Sequence, residues 1–126
     1  MKILIAEDEN ISRMVLAAAL KKRGHEVVAV ENGRKAWEAF QKDYFPVLIS
    51  DWLMPEMDGP AAVRQIRILE QARGILPASG AKIIMVTAVG EMKDVIRSFQ
   101  EFCDAYLVRP VDLRELLGHL KTFDLI

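Results

Sequence analysis

The feature that most constrains this chain is an alternation repeated five times, in which a short apolar run is followed by a longer stretch with apolar residues at helical spacing. The runs at 3–6, 26–30, 46–50, 83–86 and 105–108 are rich in Ile, Val and Leu. Near-continuous apolar strands of this kind are those covered on both faces. The first helical stretch starts at Asn10, a good N-cap, and carries Ile11, Met14, Val15, Ala18 and Ala19 as its inward set. It ends on Lys21, Lys22 and Arg23, where the helix dipole favours cations, and Gly24 stops it. Further helices are expected over 33–42 with Ala36, Ala39 and Phe40 inward, from the Asp58-Gly59-Pro60 turn to about Arg73, over 92–102 and over 113–121. Strict strand–helix alternation implies an α/β fold, a parallel sheet with helices on both faces. Five units are too few for a barrel, which takes eight, and leave a doubly wound five-stranded sheet flanked by five helices. Residues 71–81, punctuated by Gly74, Pro77 and Gly80, are expected to form a surface loop away from any chemistry.

Composition narrows the function classes. A chain of 126 residues, 52% hydrophobic and 28% charged, is expected to be one globular domain over 1–126. Seventeen basic against eighteen acidic residues give a net charge of −1, which argues against direct nucleic-acid binding through a broad basic field. The single cysteine, Cys103, excludes an internal disulfide and any multi-cysteine zinc site. No apolar run approaches the roughly 20 residues of a spanning helix. Glu7 and Asp8 interrupt the N-terminal run too early for a secretory signal. The expectation is a cytoplasmic protein with no membrane association.

In an open parallel sheet, ligands bind outside the carboxyl ends of the strands. The first run ends in Glu7-Asp8, the third in Asp51, the fourth in Thr87 and the fifth in Arg109-Pro110. Three carboxylates, a hydroxyl and a guanidinium therefore converge on one edge. Clustered carboxylates stay ionised only beside a cation. Oxygen donors without His or Cys suit a hard ion, Mg²⁺ best, completed by water or phosphate oxygens. A carboxylate there can also attack phosphorus to give an acyl phosphate, with Thr87 and Arg109 on the transferred oxygens.

The motifs ILIAED at 3–8, ISDWLMPEMDG at 49–59, IIMVTA at 83–88 and DAYLVRP at 104–110 make the chain resemble the CheY-like receiver domain of two-component response regulators over essentially its whole length. The resemblance implies strand order 2-1-3-4-5. It implies Asp51 as phosphoacceptor and a Mg²⁺ site on Asp8, Asp51 and the Leu53 main-chain carbonyl, with Glu7 acting through water. It implies Thr87 and Tyr106 as the switch pair, Arg109 where the family carries lysine, and a cis peptide before Pro110. Leu53 and Val89 fall where the family tunes dephosphorylation. Both are apolar, so a long-lived phosphorylated form is expected. The implied partners are a histidine kinase or histidine phosphotransfer protein and a downstream protein target reached through the fourth helix, fifth strand and fifth helix. A monomer or weak homodimer is expected.

Arginine forks two donors where lysine presents one compact charge, so slower or weaker switching is expected. Three function classes stay open: a phosphoacceptor switch, which is not a turnover enzyme; an aspartyl-phosphate phosphohydrolase; and a degenerate receiver acting as a phosphorylation-independent interaction module. The hydrolase needs a second aspartate two places after the nucleophile, where this chain has Leu53. No GxGxxG or GxxxxGK[ST] supports a nucleotide enzyme. His25 and His119 are expected at the surface, Cys103 as a small buried hydrophobe, and Arg64, Arg67 and Arg73 on a solvated face. The apolar ending at Ile126 suggests a stand-alone protein over a fragment of a larger one.

Overall fold

The strands β1 (Lys2–Ala6), β2 (Glu26–Val30), β3 (Val47–Asp51), β4 (Lys82–Thr87) and β5 (Ala105–Val108) form one parallel sheet in the order β2-β1-β3-β4-β5. The structure is a computed structural model, and it describes residues 1–52, 54–88 and 103–126. Among these residues it contains helices α1 (Asn10–Lys22), α2 (Gly33–Lys42), α3 (Gly59–Ala72) and α4 (Leu113–Thr122), with a 3₁₀ turn at Pro77–Ser79. The helix expected over 92–102 lies outside the described residues. β3 is buried at every position, because strands lie on both sides of it and helices on both faces.

Residue parity within the strands divides the core in two. Leu4, Leu48, Ile83 and Met85 point to one face and pack with Ala36 and Phe40 of α2 and Val63 and Ile66 of α3. Ile3, Ile5, Val47, Ile49, Ile84 and Val86 point to the other, under Ala17 and Leu20 of α1 and Leu116 and Leu120 of α4. Each fully buried Leu or Ile contributes about 1.5–3 kcal/mol relative to exposure.

The capping chemistry is local. Asn32 caps α2 and Asp58 caps α3, their side chains accepting from Lys35 N and Ala61 N. At α1 the expected cap is corrected. Glu9, one residue earlier, accepts from Ile11 N at 3.1 Å and Ser12 N at 2.6 Å, and Asn10 is already helical. A carboxylate at the positive end of the dipole outcompetes the neutral amide.

The inward face of α1 is also corrected. Ile11, Met14 and Val15 are 71%, 69% and 63% exposed, while Ala17 and Leu20 are buried. Apolar residues run around most of this helix, so helical spacing fits more than one face. Arg67 is not on a solvated face. It donates to Glu70 Oε1 at 2.7 Å, to the Ala81 carbonyl at 2.9 Å and to Asp104 Oδ2 at 3.1 Å. Glu70, only 6% exposed, also accepts from Ala81 N at 2.6 Å. The far end of the 71–81 segment is therefore clasped to α3. His25 and His119 lie half-buried at the surface. His25 lies against the N-terminal amine at 3.2 Å, and His119 stacks on Phe123. Cys103 packs against the first core, and burial pushes its thiol up to about 12.

Candidate functional site

Parallel register carries the ends of β1, β3 and β4 to one edge, with Ala6 beside Ser50 and Asp51 beside Val86. Residues at and just past those ends therefore meet. Glu7, Asp8 and Asp51 place one carboxylate oxygen each so that all three lie within 4.8 Å of one another. Asp51 is 2% exposed and Glu7 8%, while Asp8 is exposed. Glu7 is pinned by its backbone, its N–H donating to the Val30 carbonyl at 3.0 Å. Its own carbonyl accepts from Arg13 of α1 at 2.8 Å.

Arg109 closes the cluster. One guanidinium nitrogen is ion-paired with Asp51 Oδ1 and lies 3.5 Å from Glu7 Oε2. The other Asp51 oxygen, Oδ2, is buried and has no hydrogen-bond partner among the described residues. Burial pushes the Asp51 carboxyl up to about 8, the neighbouring Glu7 pushes the same way, and Arg109 opposes both. An orphaned buried carboxylate oxygen inside an acidic cluster fits a cation. The donor set, all carboxylate oxygen, fits a hard divalent one such as Mg²⁺.

Thr87 ends β4 at 1% exposure, and its hydroxyl donates to the Ala88 carbonyl at 3.1 Å. Tyr106 pairs with Met85 and Val108 with Thr87, so Tyr106 and Thr87 occupy the same sheet face two positions apart. The Tyr106 side chain is partly out, at 38% exposure. The Arg109–Pro110 peptide bond is cis. Leu53 and Val89 lie outside the described residues, and so do the expectations placed on them. Beside the cluster, a cavity of about 300 Å³ runs under α1, lined by Ile11, Val15, Leu16, Arg109 and Val111.

The sequence reading missed Asn32, whose amide donates to Glu56 at 2.8 Å across the loop after Asp51. Its signal was an Asn-Gly pair at a helix start, which serves capping alone equally well.

The model of the response regulator receiver domain matches residues 3–121. The chain belongs to the response regulator receiver family. A probable transcriptional regulator ycf27 from Pyropia yezoensis is 32% identical over 96% of this chain and 46% of its own length. The chain thus spans about half the length of the curated relatives it matches. The receiver domain of sensor histidine kinase PA1611 from Pseudomonas aeruginosa, solved with magnesium in its active-site cleft, is similar at 26% identity. That likeness covers 97% of this chain and 95% of that one, with a TM-score of 0.80. The receiver of Saccharomyces cerevisiae Ssk1, solved with the histidine phosphotransfer protein Ypd1, is similar at 25% identity, 98% and 88% coverage and a TM-score of 0.85. The strand order β2-β1-β3-β4-β5 is the one expected of this family. No helix among the described residues is long and apolar enough to cross a membrane.

Proposed function

We propose that this receiver is a phosphorylation-dependent signalling switch whose phosphoacceptor is Asp51. The observation that carries the reading is the buried Oδ2 of Asp51, without a hydrogen-bond partner among the described residues, beside Glu7, Asp8 and Arg109. Asp8 and Asp51 would hold Mg²⁺ directly, Glu7 through water, and the Leu53 carbonyl would complete the protein ligands. When bound, the ion supplies charge neutralisation for the phosphoryl oxygens.

In the transfer, an Asp51 carboxylate oxygen forms the new bond to phosphorus. The phosphorus–nitrogen bond of a donor phosphohistidine breaks, and the imidazole leaves with the electron pair and takes a proton from solvent. Arg109 turns its fork from the carboxylate to the phosphoryl oxygens. The Thr87 hydroxyl moves to donate to them, and Tyr106 follows into the space behind it. The coupling asked of this rearrangement is about 1–3 kcal/mol, the usual allosteric range. The output is altered affinity for a protein target at the face of β5, α4 and the segment 92–102, of which the last lies outside the described residues.

The donor is a histidine kinase or a histidine phosphotransfer protein. The Ssk1 receiver's complex with Ypd1 supports this class of partner. So does the exposed apolar strip Ile11, Met14 and Val15 beside the site. The chain acts in the cytoplasm as a single domain over 1–126, monomeric or weakly dimeric, without direct contact to nucleic acid or membrane and without turnover of a substrate. A second reading, a phosphorylation-independent interaction module, draws on the Arg109–Asp51 ion pair, which occupies the acceptor carboxylate. Intact mass after incubation with a small acyl-phosphate donor and Mg²⁺ separates the two. One phosphoryl group on the parent and none on Asp51→Asn is expected. No adduct on the parent, but one on Arg109→Lys, would favour the module.

A further inference from the structure

The loop between Asp51 and α3 contains Glu56 at φ 67°, in the left-handed region that a non-glycine side chain enters only when its surroundings hold it there. What faces Glu56 is Asn32, which is 6% exposed. The Asn32 Nδ2 donates to Glu56 Oε2 at 2.8 Å, and its Oδ1 accepts from Lys35 N at 2.8 Å. A helix cap needs only the acceptor, which aspartate would supply equally well. The donor half of this buried amide is spent on Glu56.

The backbone repeats the tie. Gly33 N donates to the Met57 carbonyl at 2.9 Å, and a Cβ at position 33 would lie inside contact distance of that oxygen. At the other end, Gly59 N donates to the Trp52 carbonyl at 3.0 Å. The loop leaving Asp51 is thus anchored on the start of α2, an element that contributes no carboxylate to the cluster.

We propose that Asn32 is a positioning residue for the cation and phosphoryl site, acting through Glu56 on the loop that leaves Asp51. The inference rests on the reading of Glu7, Asp8 and Asp51 as a Mg²⁺ site. Outer contacts that orient ligands change metal affinity by roughly ten- to a hundredfold when removed. Asn32→Asp keeps the cap but sets two carboxylates against each other and loosens the loop at Glu56, leaving the Gly33–Met57 backbone bond in place. The added negative charge would by itself attract Mg²⁺, so weaker binding has only the loop as its cause.

The test is Mg²⁺ titration of the full chain, read by tryptophan fluorescence and by the Mg²⁺-induced rise in Tm. Asn32→Asp should bind Mg²⁺ roughly tenfold more weakly than the parent. Adding Glu56→Gln reverses donor and acceptor at unchanged side-chain lengths. The double variant should return to within about threefold of the parent. Unchanged Mg²⁺ affinity in Asn32→Asp, or a loss that Glu56→Gln does not relieve, would overturn the proposal. A parent that shows no Mg²⁺ response would instead sink the metal reading, and this inference with it.

Discussion

Arg109 sets the charge balance of the site. Its guanidinium is 44% exposed yet ion-paired with an Asp51 side chain that is 2% exposed, so it serves as the internal counter-ion of the cluster. A divalent cation bound as proposed would compete with it for the same carboxylates. Across about 4 Å at an effective dielectric near 20, such a pairing is worth up to about 4 kcal/mol, and the exposure of Arg109 reduces that. Arg109→Ala is therefore expected to tighten Mg²⁺ binding on the order of tenfold, measured by calorimetric titration, while slowing phosphoryl uptake. Unchanged affinity would remove Arg109 from the competition. Cys103 shows the opposite kind of environment. Burial pushes its thiol up to about 12, so the reactive thiolate is scarce near neutrality and grows as pH rises toward that value. Alkylation of the folded protein should be slow at pH 8, speed up with pH, and become fast on denaturation. Fast alkylation of the folded chain at pH 8 would contradict this. These residue environments were only partly legible in the sequence. Strand ends brought Glu7, Asp8, Asp51, Thr87 and Arg109 together on paper, but not which carboxylate oxygen Arg109 occupies, because that depends on side-chain rotamers.

At the scale of elements, helical spacing located α1 and α3 but misjudged what each turns inward. Ile11, Met14 and Val15 recur at helical intervals, yet α1 buries Ala17 and Leu20 instead. An apolar residue at the right interval gives a helix and leaves open which stripe meets the sheet when several stripes are apolar. Arg67 and Glu70 of α3 carry the reverse lesson. Charged residues usually mark solvent, but this pair ties α3 to Ala81 just before β4 and to Asp104 just before β5. No sequence interval links positions 70, 81 and 104, so this clasp was unreadable in advance. Glu70→Gln removes a buried charge that satisfies the Arg67 guanidinium and the Ala81 N–H. It should destabilise the fold by about 1–3 kcal/mol in denaturant unfolding. A change below about 0.5 kcal/mol would mean the clasp is solvated in practice.

For the whole molecule, the parallel sheet is what makes the chemistry local. Alternating strands and helices fix the direction of every strand, and the order β2-β1-β3-β4-β5 sets the ends of β1 and β4 on either side of Asp51. Both consequences were legible because they follow from chain-long patterning and a family resemblance, not from any single contact. The tie between Asn32 and the loop after Asp51 was not, since it crosses between two units with no sequence interval to announce it. The central claim, that the Asp51 carboxylate becomes an acyl phosphate, has a direct chemical test. Borohydride reduces an acyl phosphate to an alcohol and leaves ordinary carboxylates intact. After phosphorylation with a small donor and Mg²⁺, reduction and peptide mapping should place homoserine at position 51 in the parent. Homoserine at another acidic position, or a phosphoryl adduct that leaves Asp51 unreduced, would contradict the account.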